Sequence, residues 1–232
     1  MSLAGITAVA FDLDSTLCFY GVSIEEAMAQ ALERLGQRAD LLGDLSLAAA
    51  RYEALWAEED EKRAPAGVVR ERAWERLLQA RGTVDHVLAA ALAEEYAAVR
   101  MPSIRLFDGV RELLRDLRRS YELGLLTNGQ PDMQWPKIRT LGIEGSFDAI
   151  VVSGEVGVYK PNRGAFDILL GRLGVEAAHA LYVGDSQEND VAGAKAAGMR
   201  VAWVRTDGAG EAGGVAPDLV VDGAVELRGM LL

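Results

Sequence analysis

Asp12 and Asp14 stand two positions apart where a short apolar run, Ile6 to Phe11, gives way to polar residues. A chain leaving a strand at that point can turn both side chains toward one site. Two carboxylates so close resist joint ionisation, and a divalent cation relieves the conflict. Phosphoryl transfer needs such a cation to offset charge on the transferring group. The pair therefore suits one acid as nucleophile and metal ligand and the other as proton carrier. The same spacing also suits two carboxylates that only cap the turn or helix that follows.

Three more stations follow: Thr127-Asn128-Gly129 after Leu125-Leu126, Lys160-Pro161, and Gly184-Asp185-Ser186 with Asp190 after Val183. Taken singly they read as a strand-ending turn, a solvated lysine before a proline at a helix start, and an acidic helix start. Their value lies in the elements that would carry them. Ile6 to Phe11, Leu123 to Leu126, Ala149 to Val152, Ala180 to Val183, Val201 to Val204 and Leu219 to Val221 are short runs expected to form buried parallel strands. Between them lie helical segments at Val110 to Arg119, Met133 to Leu141, Pro161 to Leu173 and Glu188 to Ala197. Such alternation predicts an α/β fold, a doubly wound parallel sheet whose ligands bind outside the carboxyl ends of the strands.

The stretch from Val22 to Val99 breaks this rhythm. Ile24, Ala27, Met28, Ala31, Leu32 and Leu35 have helical spacing, and further helices are expected over Leu45 to Ala57, Val68 to Ala80 and Val84 to Ala97. This predicts a helical insertion: a core domain of residues 1–17 and 101–232, and an inserted domain of residues 18–100. Tyr20, Tyr52 and Trp56 in that region read either as pocket aromatics or as ordinary bundle packing. The glycine-rich segment Gly208 to Gly214 lacks the Gly-Lys-Ser/Thr ending of a phosphate-binding loop and reads as a surface loop.

The string Phe11-Asp12-Leu13-Asp14-Ser15-Thr16-Leu17, followed in order by the other three stations, resembles the haloacid dehalogenase-like hydrolases across the whole chain. The resemblance implies a Rossmann-like core with a helical cap inserted after the first motif. It implies an Mg2+-dependent phosphatase that hydrolyses a small phosphomonoester, a nucleotide or sugar phosphate, through an aspartyl-phosphate on Asp12. Asp14 would be the acid and base, and Thr127, Asn128 and Lys160 would hold the phosphoryl group. Asp12, the backbone carbonyl of Asp14, and Asp185 would bind the metal, with Asp190 supporting its surroundings or orienting Lys160. Asp14 argues against dehalogenation, because the dehalogenases of the family lack that second acid. A sugar phosphomutase of the same superfamily, or a non-catalytic binding module, remains the alternative.

Over 232 residues, half of them hydrophobic, the chain has enough apolar material for a sizeable core. Its formal net charge of -11 disfavours nucleic acid and anionic membrane surfaces as partners. A single cysteine, Cys18, excludes an internal disulfide and fits a cytoplasmic location. Oligomeric state has no sequence signal.

Overall fold

The computed structural model describes residues 3–205 and 214–232, and residues 208–213 of the glycine-rich segment lie outside them. In chain order the elements are β1 Ala8–Phe11, β2 Cys18–Tyr20, α1 Ile24–Arg34, α2 Leu45–Asp60, α3 Ala66–Gln79, α4 His86–Arg100, β3 Ile104–Leu106, α5 Val110–Leu117, β4 Glu122–Thr127, α6 Pro131–Leu141, β5 Ala149–Val152, α7 Ser153–Val156, α8 Arg163–Leu173, β6 Ala180–Gly184, α9 Gly193–Ala196, β7 Arg200–Val204, β8 Leu219–Val221 and α10 Arg228–Leu231. They divide into two compact units: residues 1–19, 106–129 and 141–232, and residues 20–105 with 130–140.

The first unit holds a six-stranded sheet in the order β5-β4-β1-β6-β7-β8. Every pairing in it is parallel. β1 is central and buried at all four residues, as expected for a strand covered on both faces. Ala8 and Ala10 pack with Phe166, Leu169 and Leu170 of α8 and with Tyr182. Gly124 on β4 permits that approach: a side chain there would press on Leu169, Leu173 and Ala10. Phe11 lies level with Leu125 of β4 and Val183 of β6, so the residues that follow these strands emerge along one edge of the sheet. The chain order reverses about β1, which makes that edge a topological switch point.

The second unit is helical. Ser23 and Glu26 form a reciprocal capping box at the start of α1, and Asp44 and Asp85 cap α2 and α4. Its core gathers Met28, Leu32, Leu55, Leu77, Leu78 and Leu92 around Tyr52, Trp74 and Tyr96. The ring centroids of Tyr52 lie 5.6 Å from Trp74 and 5.1 Å from Tyr96. The unit also takes in residues 130–140, which the expected division put with the core. Asp132 near the start of α6 explains this: its carboxylate accepts from the N–H groups of Ala66 and Gly67, which α3 leaves unpaired at its N-terminus.

Asp218 ties β7 to the segment before β8. Its Oδ2 accepts from Lys195 Nζ at 2.6 Å and from the Val201 N–H at 2.7 Å. Partial burial pushes this carboxyl up, but those two donors more than offset it and hold it below the ordinary carboxylate range. A lowered folded pKa gives stability that is present above the unfolded value of about 3.9 and is lost as pH falls through the folded value. Asp218→Asn should therefore lower Tm near neutrality and leave it unchanged near pH 2, so that melting curves of parent and variant converge in acid.

Candidate active site

β1 ends at Phe11, and the Asp12 N–H still donates to the Val183 carbonyl at 2.9 Å. The chain then folds tightly. The carbonyl of Leu13 accepts from the N–H groups of Leu17 and Cys18, and the Ser15 N–H donates to the Cys18 carbonyl. Leu13 and Leu17 anchor this turn in the core with no exposed surface. Ser15 takes φ 60° at its tip, a left-handed conformation that is uncommon for a residue with a Cβ. Asp12 and Asp14 thus flank a buried leucine, and both line one cavity of about 210 Å³.

The other stations reach the same cavity. Thr127 closes β4, Asp185 follows β6, and Lys160 precedes α8; the cavity is lined by these three with Asn128, Ser186, Asn189 and Asp190. All the residues proposed from sequence for catalysis, substrate and metal come together in the first unit.

Lys160 is the centre of the floor. Its Nζ donates to Asp12 Oδ1 at 2.6 Å, Asp190 Oδ1 at 2.7 Å and the Tyr182 hydroxyl at 3.1 Å. Burial works against its charge, but the carboxylates of Asp12 and Asp190 more than offset it and hold the ammonium well above the usual lysine range. The backbone of Lys160 is held as well. Asn128 Oδ1 accepts from the Lys160 N–H and from Ser153 Oγ, while Asn128 Nδ2 donates to the Lys160 carbonyl. Asn128, expected to hold the phosphoryl group, lines the cavity and also places the lysine backbone.

Asp190 reaches the floor by an irregular route. Residues 187–192 form a π-helical turn in which the Asp190 and Val191 N–H groups both donate to the Ser186 carbonyl. Asp190 Oδ2 in turn accepts from the Ser186 N–H at 2.9 Å. Its carboxyl fills the notch left by Gly184, where any Cβ would overlap it. Asp185 is positioned by the Trp203 indole, whose Nε1 donates to its carbonyl at 2.8 Å, and by Thr16 Oγ1, 3.5 Å from its Oδ1.

Among the described residues, carboxylate oxygens of Asp12, Asp185 and Asp190 lie within 4.8 Å of one another. Burial raises the Asp12 carboxyl to about 8 against the pull of Lys160, with Asp190 and Asp14 adding to the rise. Burial also raises Asp185 to about 6, again with help from Asp190. One ammonium does not satisfy this cluster at neutral pH. An all-oxygen donor set short of positive charge fits a hard divalent cation such as Mg2+.

Tyr182 has no counterpart among the expected site residues. It sits inside the apolar run of β6, fully buried, accepting from Lys160 and donating to the Leu126 carbonyl at 3.0 Å. The available signal was physical: a tyrosine buried in a parallel strand needs a partner for its hydroxyl.

A sequence model of haloacid dehalogenase-like hydrolases matches residues 6–198. A glyceraldehyde 3-phosphate phosphatase of Methanopyrus kandleri is 35% identical over 202 residues, covering 86% of this chain and 84% of that protein. A phosphoserine phosphatase of Thermus thermophilus is 33% identical over 219 residues, covering 83% of this chain and 86% of that protein. Among solved structures, a 2-haloacid dehalogenase from Pseudomonas syringae pv. Tomato superposes with a TM-score of 0.70 at 29% identity, covering 97% of this chain and 98% of that one.

Removing the shared cation should be costly. Lys160→Met leaves Asp12 and Asp190 buried without their counter-charge and is expected to lower stability by about 3 kcal/mol in urea unfolding at neutral pH. Replacing Asp190 by Leu in the same chain should recover part of that loss. Additive losses in the double variant would contradict a shared network.

Proposed function

The chain belongs to the haloacid dehalogenase-like hydrolase family, and we propose that it is an Mg2+-dependent phosphatase acting on small phosphomonoesters through an aspartyl-phosphate on Asp12. The observation that carries this reading is the arrangement of Asp12, Asp14, Thr127, Lys160 and Asp185 around one cavity at the carboxyl edge of the sheet. The similar phosphatases point the same way, and they suggest three-carbon phosphates as test substrates beside nucleotide and sugar phosphates.

In the proposed reaction an oxygen of Asp12 attacks phosphorus and the bond from phosphorus to the leaving oxygen breaks, while Asp14 gives its proton to that oxygen. A water then attacks the same phosphorus, Asp14 takes its proton, and the Asp12 carboxylate departs as inorganic phosphate forms. Thr127 and nearby backbone N–H groups hold phosphoryl oxygens. Lys160, fixed by Tyr182, Asn128 and Asp190, keeps Asp12 oriented and partly offsets charge on the transferring group. Mg2+, held by Asp12, the Asp14 carbonyl and Asp185, would supply the remaining positive charge. Asp190 acts behind this set by holding Lys160. The inserted helical unit is read as a cap that governs which phosphomonoesters are accepted.

The test is phosphate release from a panel of nucleotide, sugar, amino-acid and three-carbon monophosphates. Release is expected to require Mg2+, to vanish with a chelator and return with added Mg2+, and to fall to background in Asp12→Asn. Metal-independent release, or release undiminished in Asp12→Asn, would overturn the mechanism. Conversion of a sugar phosphate to its isomer without free phosphate would identify a mutase.

A further inference from the structure

Asp185 lies one residue beyond the point where β6 and β7 stop pairing. Their ladder runs from Leu181 beside Arg200 to Gly184 beside Trp203. The next residue of β7, Val204, pairs with Val221 of β8 instead. The Asp185 backbone therefore leaves the sheet with no strand neighbour on the β7 side. Its carbonyl accepts from the Nε1–H of Trp203 at 2.8 Å, a bond made by the side chain of the last paired residue. The indole extends the ladder by one step, at the acid itself.

That bond is the firm restraint on Asp185. Thr16 Oγ1 stands 3.5 Å from Asp185 Oδ1, at the outer limit of a hydrogen bond. Trp203 is 3% exposed and packs with Phe166, Tyr182 and Val191, so its ring belongs to the core. Phenylalanine or leucine would serve that packing. What only tryptophan adds at this position is a buried ring N–H, which needs a partner. The partner it has is the backbone of one of the three acids whose carboxylate oxygens cluster within 4.8 Å.

Groups that orient the ligands of a metal govern its affinity, typically by 10- to 100-fold when they are removed. A carboxylate whose backbone is already fixed loses less freedom when a cation is bound. We propose that Trp203 is a positioning residue for the cation: its indole N–H fixes the Asp185 backbone, so that the Asp185 carboxylate is oriented before Mg2+ arrives. The inference rests on the reading of Asp185 as a cation ligand. It adds that the strength of Mg2+ binding depends on a residue of β7 that does not touch the ion.

The test is Mg2+ titrated by calorimetry into the full chain without substrate. The parent should bind, and Trp203→Phe should bind about tenfold more weakly or worse. Site-specific replacement of Trp203 by 3-benzothienylalanine, which keeps the shape of the indole but has sulfur in place of N–H, should show the same loss with little change in the Tm of the metal-free protein. Val201→Ala trims a fully buried side chain two positions earlier on the same strand. It should lower Tm and leave Mg2+ affinity unchanged. In phosphate release, the Mg2+ giving half the maximal rate should rise in Trp203→Phe by the factor seen in binding, and saturating Mg2+ should restore most of kcat. Unchanged Mg2+ affinity in the benzothienylalanine protein, or an equal loss in Val201→Ala, would overturn the role of Trp203 while leaving the cation site in place. Absence of Mg2+ binding by the parent would overturn the reading of Asp185 and this proposal with it.

Discussion

Among the described residues Lys160 carries the only ammonium in a floor that also holds Asp12 and Asp190, and much of the packing around it serves to hold that arrangement. A buried cation between two carboxylates is stable only when its geometry is tightly held, because desolvation of all three groups opposes the arrangement. The chain supplies the holding in layers. Tyr182 accepts from the ammonium, Asn128 grips both sides of the lysine backbone, and Ser186 and the π-helical turn lock Asp190. With Asp185 added, three carboxylates face one ammonium, and burial, aided by Asp190, raises the carboxyls of Asp12 and Asp185 against the pull of Lys160. In the proposed reaction a divalent cation would offset the excess of carboxylates in a site whose dipoles are already oriented.

The parallel sheet is what brings these groups within reach. Residues distant in sequence converge because β1, β4 and β6 are neighbours and end level with one another. The small residues at the edge matter as much as the acids. Gly184 gives Asp190 its space, and Gly124 lets α8 lie close over β1 and β4. The helical unit solves a separate packing problem with Tyr52, Trp74 and Tyr96, and does so with a tyrosine hydroxyl that its own fold does not use.

Much of this was legible in residue types and spacing. The six core strands stand where short apolar runs end in polar residues, and the helices of the insertion follow its apolar periodicity. The acids, threonine and lysine converge as a family resemblance implied. What was hidden depends on three-dimensional neighbours. Tyr182 is masked by its apolar run, and the amide of Asn128 turns to the Lys160 backbone. Residues 130–140 join the helical unit by contacts that include the Asp132 carboxylate, which meets two backbone N–H groups more than 60 residues away in sequence. The π-helical turn at 187–192 departs from the regular helix expected there because Asp190 must fold back beneath Gly184.

The central claim is that Asp12 itself accepts the phosphoryl group. The direct measurement is rapid mixing with a hydrolysed phosphomonoester and Mg2+, quenching in acid within the first turnover, and mapping of the phosphorylated peptide by mass spectrometry in the parent and in Asp14→Asn. The account predicts an acid-stable, base-labile phosphoryl group on the peptide containing Asp12, and its absence from Asp12→Asn. Phosphate release in the first turnover with no phosphorylated peptide, or with the phosphoryl group on another residue, would contradict it.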